Sequence, residues 1–506
     1  MKKSMISSWG IFLLALPMLF MLGGCKKFLD RQPLTATLDD IKQGGIEGLV
    51  FGIYSTVKDY GAGAEFGGLS WQAMHNFRSD DSKKGSSVTD QADMTAIYDQ
   101  FQYSKDFWTS NGYWDSHFTL IHLANTALQT ADSLKLESVD SKANIAEAKF
   151  FRAFSYFDMV RTFGEVPLID FRIYNAGQAN VAKSPVAAIY ALIDADLQYA
   201  AANLPITWGS KYPGRLSSGA AKTLLAKAYL YRGNFASALA QCQQVIASNQ
   251  YSLYSSYYGI FKDAGENSSE SILEWQNYMG PNQTDDHGSW FATVQGIRGN
   301  GAGGWDLGWG FNVPTDDFVN SFEAGDPRKV STILFAGQSD DPATGGYGKV
   351  LPNWINDPTP GPLDNKYWNK KVYGDPAVHQ STGWLNGAYW INQRVYRYAD
   401  VLLMAAEGLN ETGAAAQAAD LVNQVRARVS LPAIAFTTQA AMRTAIKKER
   451  RSELGLEGER FFDLVRWGDA LTVLGPLGYT NRCRFYPIPQ PAIDKSNSKL
   501  VQNPEW

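Results

Sequence analysis

The amino-acid sequence predicts a mainly α-helical fold, a scaffold of tetratricopeptide-like helix pairs displaying a loop-rich portion with minor β structure. Three observations predict it. Apolar and small residues recur at helical spacing over several long stretches. Two of those stretches break at a glycine and resume, as a helix–turn–helix pair does. Between these two, residues 251–394 hold eight of the 15 tryptophans among many Gly, Asn, Asp and Pro residues. The length of 506 residues allows two to four domains, and the interleaving of the two kinds of segment is read as one compact body.

The first element is a leader. Lys2 and Lys3 precede a 12-residue apolar run, Ile11 to Leu22, that contains Pro17. That run is short of the roughly 20 apolar residues that span a bilayer. It ends Leu22-Gly23-Gly24-Cys25, which resembles the lipobox of bacterial lipoproteins, where the thiol takes a diacylglycerol and the chain is cut before it. Each buried CH₂ contributes ~0.8 kcal/mol, so several acyl chains anchor where one holds marginally. The plain alternative is a free cysteine after an ordinary signal or membrane helix. Beyond Cys25 only Cys242 and Cys483 remain, far apart and without a Cys-x-x-Cys, so neither a disulfide framework nor a thiolate metal site is expected. Loss of Lys2 and Lys3 with residues 1–24 takes the formal charge from −4 to −6, which gives no reason to expect nucleic acid.

The helical elements follow. In "AEAKFFRAFSYFDMVRTFGEVPLI", Phe150, Phe154, Phe157 and Val160 make one apolar face, Gly164 stops the helix and Pro167 prevents its resumption. "AAIYALIDADLQYAAANLP" is a second helix, ending at Pro205. "KTLLAKAYLYRGNFASALAQCQQVI" places Leu225, Ala226 and Tyr229 before a turn at Gly233, and Phe235, Ala238, Cys242 and Val245 after it. "VLLMAAEGLNETGAAAQAADLVNQV" repeats the pattern around Gly413 with Leu402, Ala405, Ala406 and Leu409, then Ala418, Val422 and Val425. These glycines are 180 residues apart, so a segment is inserted between the pairs. The expected division is a leader over 1–24, a helical region over 25–250, an aromatic insert over 251–394 with short β runs such as "SILEWQ", and a C-terminal helical region over 395–506.

Five motifs in order, "GGCKKFLDRQP", "EAKFFRAFSYFDMVRTFGEVPLI", "RYADVLLMAAEGLNE", "KKERRSELGLEGERFFDLVRWGD" and "FYPIPQPAID…LVQNPEW", resemble those of the SusD/RagB family over nearly the whole chain. These are surface lipoproteins that capture glycans or peptides. The resemblance implies a SusD-like fold with four tetratricopeptide-like helix pairs on a loop-rich ligand-binding portion, and no catalysis or cofactor. It also implies an outer-membrane position facing the exterior, as a lid on a SusC-like TonB-dependent transporter.

The residues offer little catalytic chemistry. Among the histidines, His75, His117, His122, His287 and His379, no His-Glu-x-x-His occurs, and no Gly-x-Ser-x-Gly elbow exists. "GNGAGG" matches the dinucleotide pattern at Gly299, Gly301 and Gly304, but "WDLGWG" follows where that fingerprint needs a helix. Glu449, Glu453, Glu457 and Glu459 are the residue type that glycosidases use as paired carboxylates. Their spacing favours structure instead, with Glu457–Arg460 and Asp463–Arg466 read as i,i+3 ion pairs. "SDDSKKGSSVTDQAD" is rich in oxygens but lacks the calcium-loop spacing.

Binding chemistry is better represented. A sugar ring has an apolar C–H face suited to Trp or Tyr and a hydroxyl edge suited to Asp, Asn and Arg. Three loop segments combine the two. The first has Asn76, Arg78, Asp80 and Asp81, with Trp71 upstream and Trp108 later. The second, "GGWDLGWGF", has Trp305 and Trp309. The third, "GWLNGAYWINQR", has Trp384, Tyr389, Trp390 and Arg394. The expected function is non-catalytic capture of a glycan and its delivery to the transporter, by a protein tethered through Cys25. A peptide-binding lid of the RagB kind is the alternative within that class. A glycoside hydrolase and a periplasmic tetratricopeptide adaptor are the alternatives outside it.

Overall fold

The computed structural model describes residues 45–58, 66–210, 212–277, 290–298, 305, 307–351, 353, 366–382 and 390–506. Cys25, the leader, Gly299, Gly301, Gly304, Trp384 and Tyr389 lie outside the described residues.

Eight helices make the scaffold: α1 Trp108–Ser133, α2 Val139–Phe163, α3 Val186–Asn203, α4 Ser218–Tyr231, α5 Phe235–Ala247, α6 Tyr398–Glu411, α7 Ala415–Arg428 and α8 Gln439–Leu454. Each packs against the next in the series, which is the number of helices that four pairs supply. Side chains that stop turn-forming donors from going unpaired mark their starts. Ser138, Ser217, Asn234 and Thr438 accept from the backbone N–H three residues on, at 3.1–3.2 Å.

The two glycine-centred pairs are α4–α5 and α6–α7, turning at Gly233 and Gly413, both at positive φ (68° and 90°). Although the insert separates them in sequence, α5 and α6 lie against each other. Their contact is close at Gly408: a Cβ there would sit 2.9 Å from the Leu239 Cβ and 3.2 Å from the Phe235 carbonyl. The insert leaves the array after α5 and returns at α6. Its entry strand, Ser271–Trp275, pairs antiparallel with its exit strand, Gln393–Arg397, and so closes it at the base. The "SILEWQ" run is therefore a strand. Three further two-stranded ribbons join Ser82–Gly85 to Phe311–Pro314, Ile333–Phe335 to Tyr367–Asn369, and Val166–Pro167 to Lys183–Ser184.

Two expectations need correction. The apolar face expected on α2 is only part of what it buries: every residue from Phe150 to Val160 is inside, because α1 and α3 flank the helix and Trp275 of the entry strand stacks on Phe151. Its polar residues are paired there, Arg152 with Asp196 at 2.7 Å and Asp158 with Arg161 at 2.6 Å. Asp463 and Arg466 do pair as expected, at 2.8 Å, but Glu457 and Arg460 do not. The helix carrying them begins only at Arg460, after Gly458 turns the chain at φ 86°. Glu457 is thereby aimed at Lys371 (2.6 Å) and Arg397 (2.8 Å).

Those contacts belong to a buried ionic web that fastens the insert to the scaffold. Glu453 on α8 receives Arg428 of α7 (2.5 Å), Arg397 of the exit strand (3.0 Å) and Arg328 of the insert (3.2 Å). Arg397 and Arg428 also share Glu270, at 2.7 and 2.9 Å, and Arg328 reaches Glu449 at 2.6 Å. A second web links Lys227 of α4 to Asp400 of α6 and Glu459 (2.9 Å each), and Arg450 of α8 to Asp400 (2.7 Å) and Asp463 (3.0 Å). Burial opposes ionisation of Glu453, but Arg428, Arg397 and Arg328 outweigh it and hold the carboxyl well below its ordinary range.

Glu453→Ala leaves three guanidinium groups without their shared acceptor and is expected to cost ~3–5 kcal/mol in urea unfolding. Because the folded pKa is depressed, the stabilisation is complete above the unfolded carboxylate range and is lost as the pH falls below about 4.3. The wild-type urea midpoint therefore falls on acidification, and Glu453→Gln flattens part of that fall. Gly408→Val is expected to cost ~1–3 kcal/mol by wedging α5 from α6, read as a lower urea midpoint.

Candidate functional site

The tryptophan loop of the insert is positioned by its backbone. The N–H groups of Leu307, Trp309 and Gly310 donate to the carbonyls of Ile297, Thr293 and Gly296, each at 2.9 Å. This stitching requires a very close approach of two chain segments. A Cβ on Gly296 would lie 2.4 Å from the Leu307 carbonyl oxygen, and one on Gly308 2.4 Å from that of Thr293, so only glycine fits at either position. The same loop continues into Phe311–Pro314, whose partner strand Ser82–Gly85 follows directly on the Trp71–Asp81 segment.

The result is an aromatic ridge of two ring pairs, joined where Trp290 and Phe291 are neighbours in sequence. Trp309 meets Trp290 with ring centres 5.2 Å apart and planes at 54°. Phe291, next to Trp290, presents its ring to Trp71 at 5.9 Å and 70°. Trp71 is itself stacked on His75 at 4.3 Å. All four ridge side chains are half-buried. Trp305 is also half-buried and packs against a separate small core that includes Ile297, Leu307 and Trp368. The expected Trp71, Trp305 and Trp309 thus lie on this part of the molecule. Trp290 and Phe291 were missed by sequence reasoning, since "SWFATVQ" reads only as a short helical run.

The polar set expected beside them lies beneath the surface. Asn76, Arg78, Asp80 and Asp81 are all buried. Arg78 donates to the Met74 carbonyl at 2.9 and 2.6 Å and covers Phe461 at 4.1 Å. Asn76 accepts from the Gly458 N–H at 3.0 Å. Asp80 takes Arg460 in a two-point bond (2.8 and 2.7 Å), and Asp81 takes Arg451 at 2.6 Å. Burial opposes charge at both acids; Arg460 and Arg451 win at Asp80, whose pKa is lowered, whereas burial wins at Asp81, whose pKa is raised. The partners of "RSDD" stand some 370 residues later in "RRSELGLEGER", and no local pattern announces such pairing. These four side chains brace the ridge from inside.

The third segment forms a different patch. The Trp390 indole N–H lies 3.0 Å from both Asp263 carboxylate oxygens, and its ring meets His379 at 5.1 Å. Arg394 turns inward, donating to the carbonyls of Asn392 (2.5 Å) and Lys262 (2.9 Å). Nearby, burial pushes Glu266 up to about 7, although its carboxylate accepts from the Asn392 N–H at 2.8 Å. Trp108 stands apart at the start of α1, 39% exposed, with its indole N–H on Gln91 at 3.0 Å. His75 and His117 meet Asp158 in the interior, at 3.9 and 3.3 Å. Among the described residues no group of three His, Cys, Asp or Glu side chains is placed to hold a metal ion, and no helix is long and apolar enough to cross a membrane. Rigid aromatic faces with donors and acceptors around them hold a ring-shaped polar ligand by stacking and edge hydrogen bonds.

Comparison with known proteins agrees along the chain. A model described as "SusD family" matches residues 269–482, and one described as "Starch-binding associating with outer membrane" matches residues 27–230. The SusD-like protein P2 of Formosa agariphila is 30% identical over 428 residues, 80% of this chain and 82% of that protein. A solved laminarin-binding SusD-like protein superposes with a TM-score of 0.76 at 30% identity, over 92% of this chain and 99% of that one. Surface glycan-binding protein A of Bacteroides thetaiotaomicron, solved with laminarihexaose, shares the fold at a TM-score of 0.73 and 22% identity, over 91% and 99% of the two chains. The chain belongs to the SusD family.

Proposed function

We propose that this protein is a cell-surface lipoprotein that captures a glycan on the Trp71–Phe291–Trp290–Trp309 ridge and delivers it to a SusC-like TonB-dependent transporter in the outer membrane. The observation that carries the reading is the Trp290–Trp309 pair, held rigidly by the Gly296–Gly308 crossing. Preformed faces of this kind lose little entropy when a sugar ring stacks on them. A 30%-identical structural relative that binds laminarin supports a glycan as the ligand and makes laminarin the first to try. Capture without bond cleavage is supported by the carboxylates of α8 and the turn after it. Glu449, Glu453, Glu457 and Glu459 are each committed to buried arginine or lysine partners. The tether is assigned to Cys25, and Trp305, Trp108 and Trp390 are further candidates for ligand contact.

The test is affinity electrophoresis of the chain from Lys26 onward, in gels containing laminarin and a panel of plant and microbial polysaccharides. Retardation by one of them is expected; no retardation by any would move the ligand class to peptides. Trp309→Ala or Trp305→Ala is expected to weaken binding more than tenfold with the circular dichroism unchanged. Equal affinity in both variants would rule out the tryptophan loop. Cys25→Ala is expected to release the protein from the membrane fraction, and retention there would refute the lipid anchor.

A further inference from the structure

A cavity of about 450 Å³ lies where the chain segments 100–105, 478–483 and 505–506 meet, and shares no residue with the ridge. Its size falls in the small-ligand range of about 300–1,000 Å³. One wall is the end of an aromatic stack that rises from the core. Tyr98 lies on Tyr486 (6.0 Å, 22°), Tyr486 on Tyr103 (4.5 Å, 29°), and Tyr103 on Trp506 (5.8 Å, 17°). The backbone beside Tyr103 is held in a costly form: Phe101, a bulky residue, sits at φ 59°, in the left-handed region where strain gathers at ligand sites.

The polar groups around the cavity are nearly all uncommitted. The side-chain amides of Gln100 and Gln102 bond to each other, Gln102 donating to the Gln100 carbonyl oxygen at 3.3 Å. The side chains of Lys105 and Glu505 are exposed and make no hydrogen bond or ion pair with a described residue. Arg482 is exposed and rests its guanidinium 4.2 Å from the centre of the Trp506 ring, also without a hydrogen bond. Amides and a hydroxyl (Thr480) both donate and accept, as sugar hydroxyls do. Charges of both signs at the rim leave no strong preference for an ion. The Trp506 ring with an exposed guanidinium lying on it, and amides beside it, match a neutral, hydroxyl-rich ring.

The geometry points to a second carbohydrate-binding site, walled by the Trp506 ring with Arg482 laid on it and edged by the amides of Gln100 and Gln102. It rests on the proposed glycan-binding function and extends it: a polysaccharide held at two places on one molecule dissociates more slowly than from either alone.

The test compares the detergent-solubilised full chain with Trp506→Ala, Gln102→Ala and Trp309→Ala in gels of laminarin, xylan, alginate and pectin. In the gel that retards the wild type, Trp506→Ala is expected to lower the apparent affinity at least threefold, Gln102→Ala to lower it in the same gel, and Trp506→Phe to restore most of it. Gln102 is an exposed side chain, so its variant keeps the site testable if Trp506→Ala fails to fold. Wild-type retardation left unchanged by both Trp506→Ala and Gln102→Ala overturns the second site while the ridge stands or falls by Trp309→Ala. A wild type that none of the four gels retards overturns both sites together.

Discussion

The carboxylate of Glu453 sits where three otherwise separate parts of the chain converge. Arg428 arrives from α7, Arg397 from the strand by which the insert returns, and Arg328 from within the insert itself. Taking these charges out of water is costly, and it is tolerated because each has several partners at bonding distance. Such a web is poor as a source of net stability, yet demanding in geometry. Remove one member and the others stay buried with one partner fewer and their charge unbalanced. The insert, which has few long helices of its own, is thereby given one seating on the helical array.

That seating is what fixes the loops proposed as the binding surface. The base of the insert is closed by the Ser271–Trp275 and Gln393–Arg397 pairing, and its tryptophan loop is stitched across Gly296 and Gly308 onto the Trp290–Gln295 helix. The Ser82–Gly85 ribbon then ties the loop to the segment braced by Asp80, Asp81, Arg451 and Arg460. Each link removes freedom from the aromatic rings before any ligand arrives. Function on loops and precision from a scaffold are thus reconciled.

Much of the scaffold was legible in the sequence because its information is local. Glycine turns at Gly233 and Gly413, the stop at Gly164 and the small residues of α4–α7 all act within a few residues of where they stand. What was not legible is long-range. That α5 and α6 are neighbours depends on Gly408 meeting Leu239, and nothing in either helix alone says so. The "HNFRSDD" run looked like a solvent-facing polar cluster because its charges have no local partners; its arginines come from the other end of the chain. Conversely, Trp290 was overlooked because one tryptophan in a short helix carries no pattern until Trp309 is brought beside it. The aromatic content of the insert singled out a region, and only the fold brings particular rings such as Trp290 and Trp309 together.

The most direct test of the account is a crystal structure of the protein with an oligosaccharide of the polysaccharide that retards it, beginning with laminarihexaose. The account predicts a sugar ring stacked against the Trp290–Trp309 pair, with the Gly296–Gly308 crossing unmoved. A saturated complex whose sugar lies away from those rings, or a ridge that rearranges to receive it, would contradict the claim that a preformed aromatic surface does the capturing.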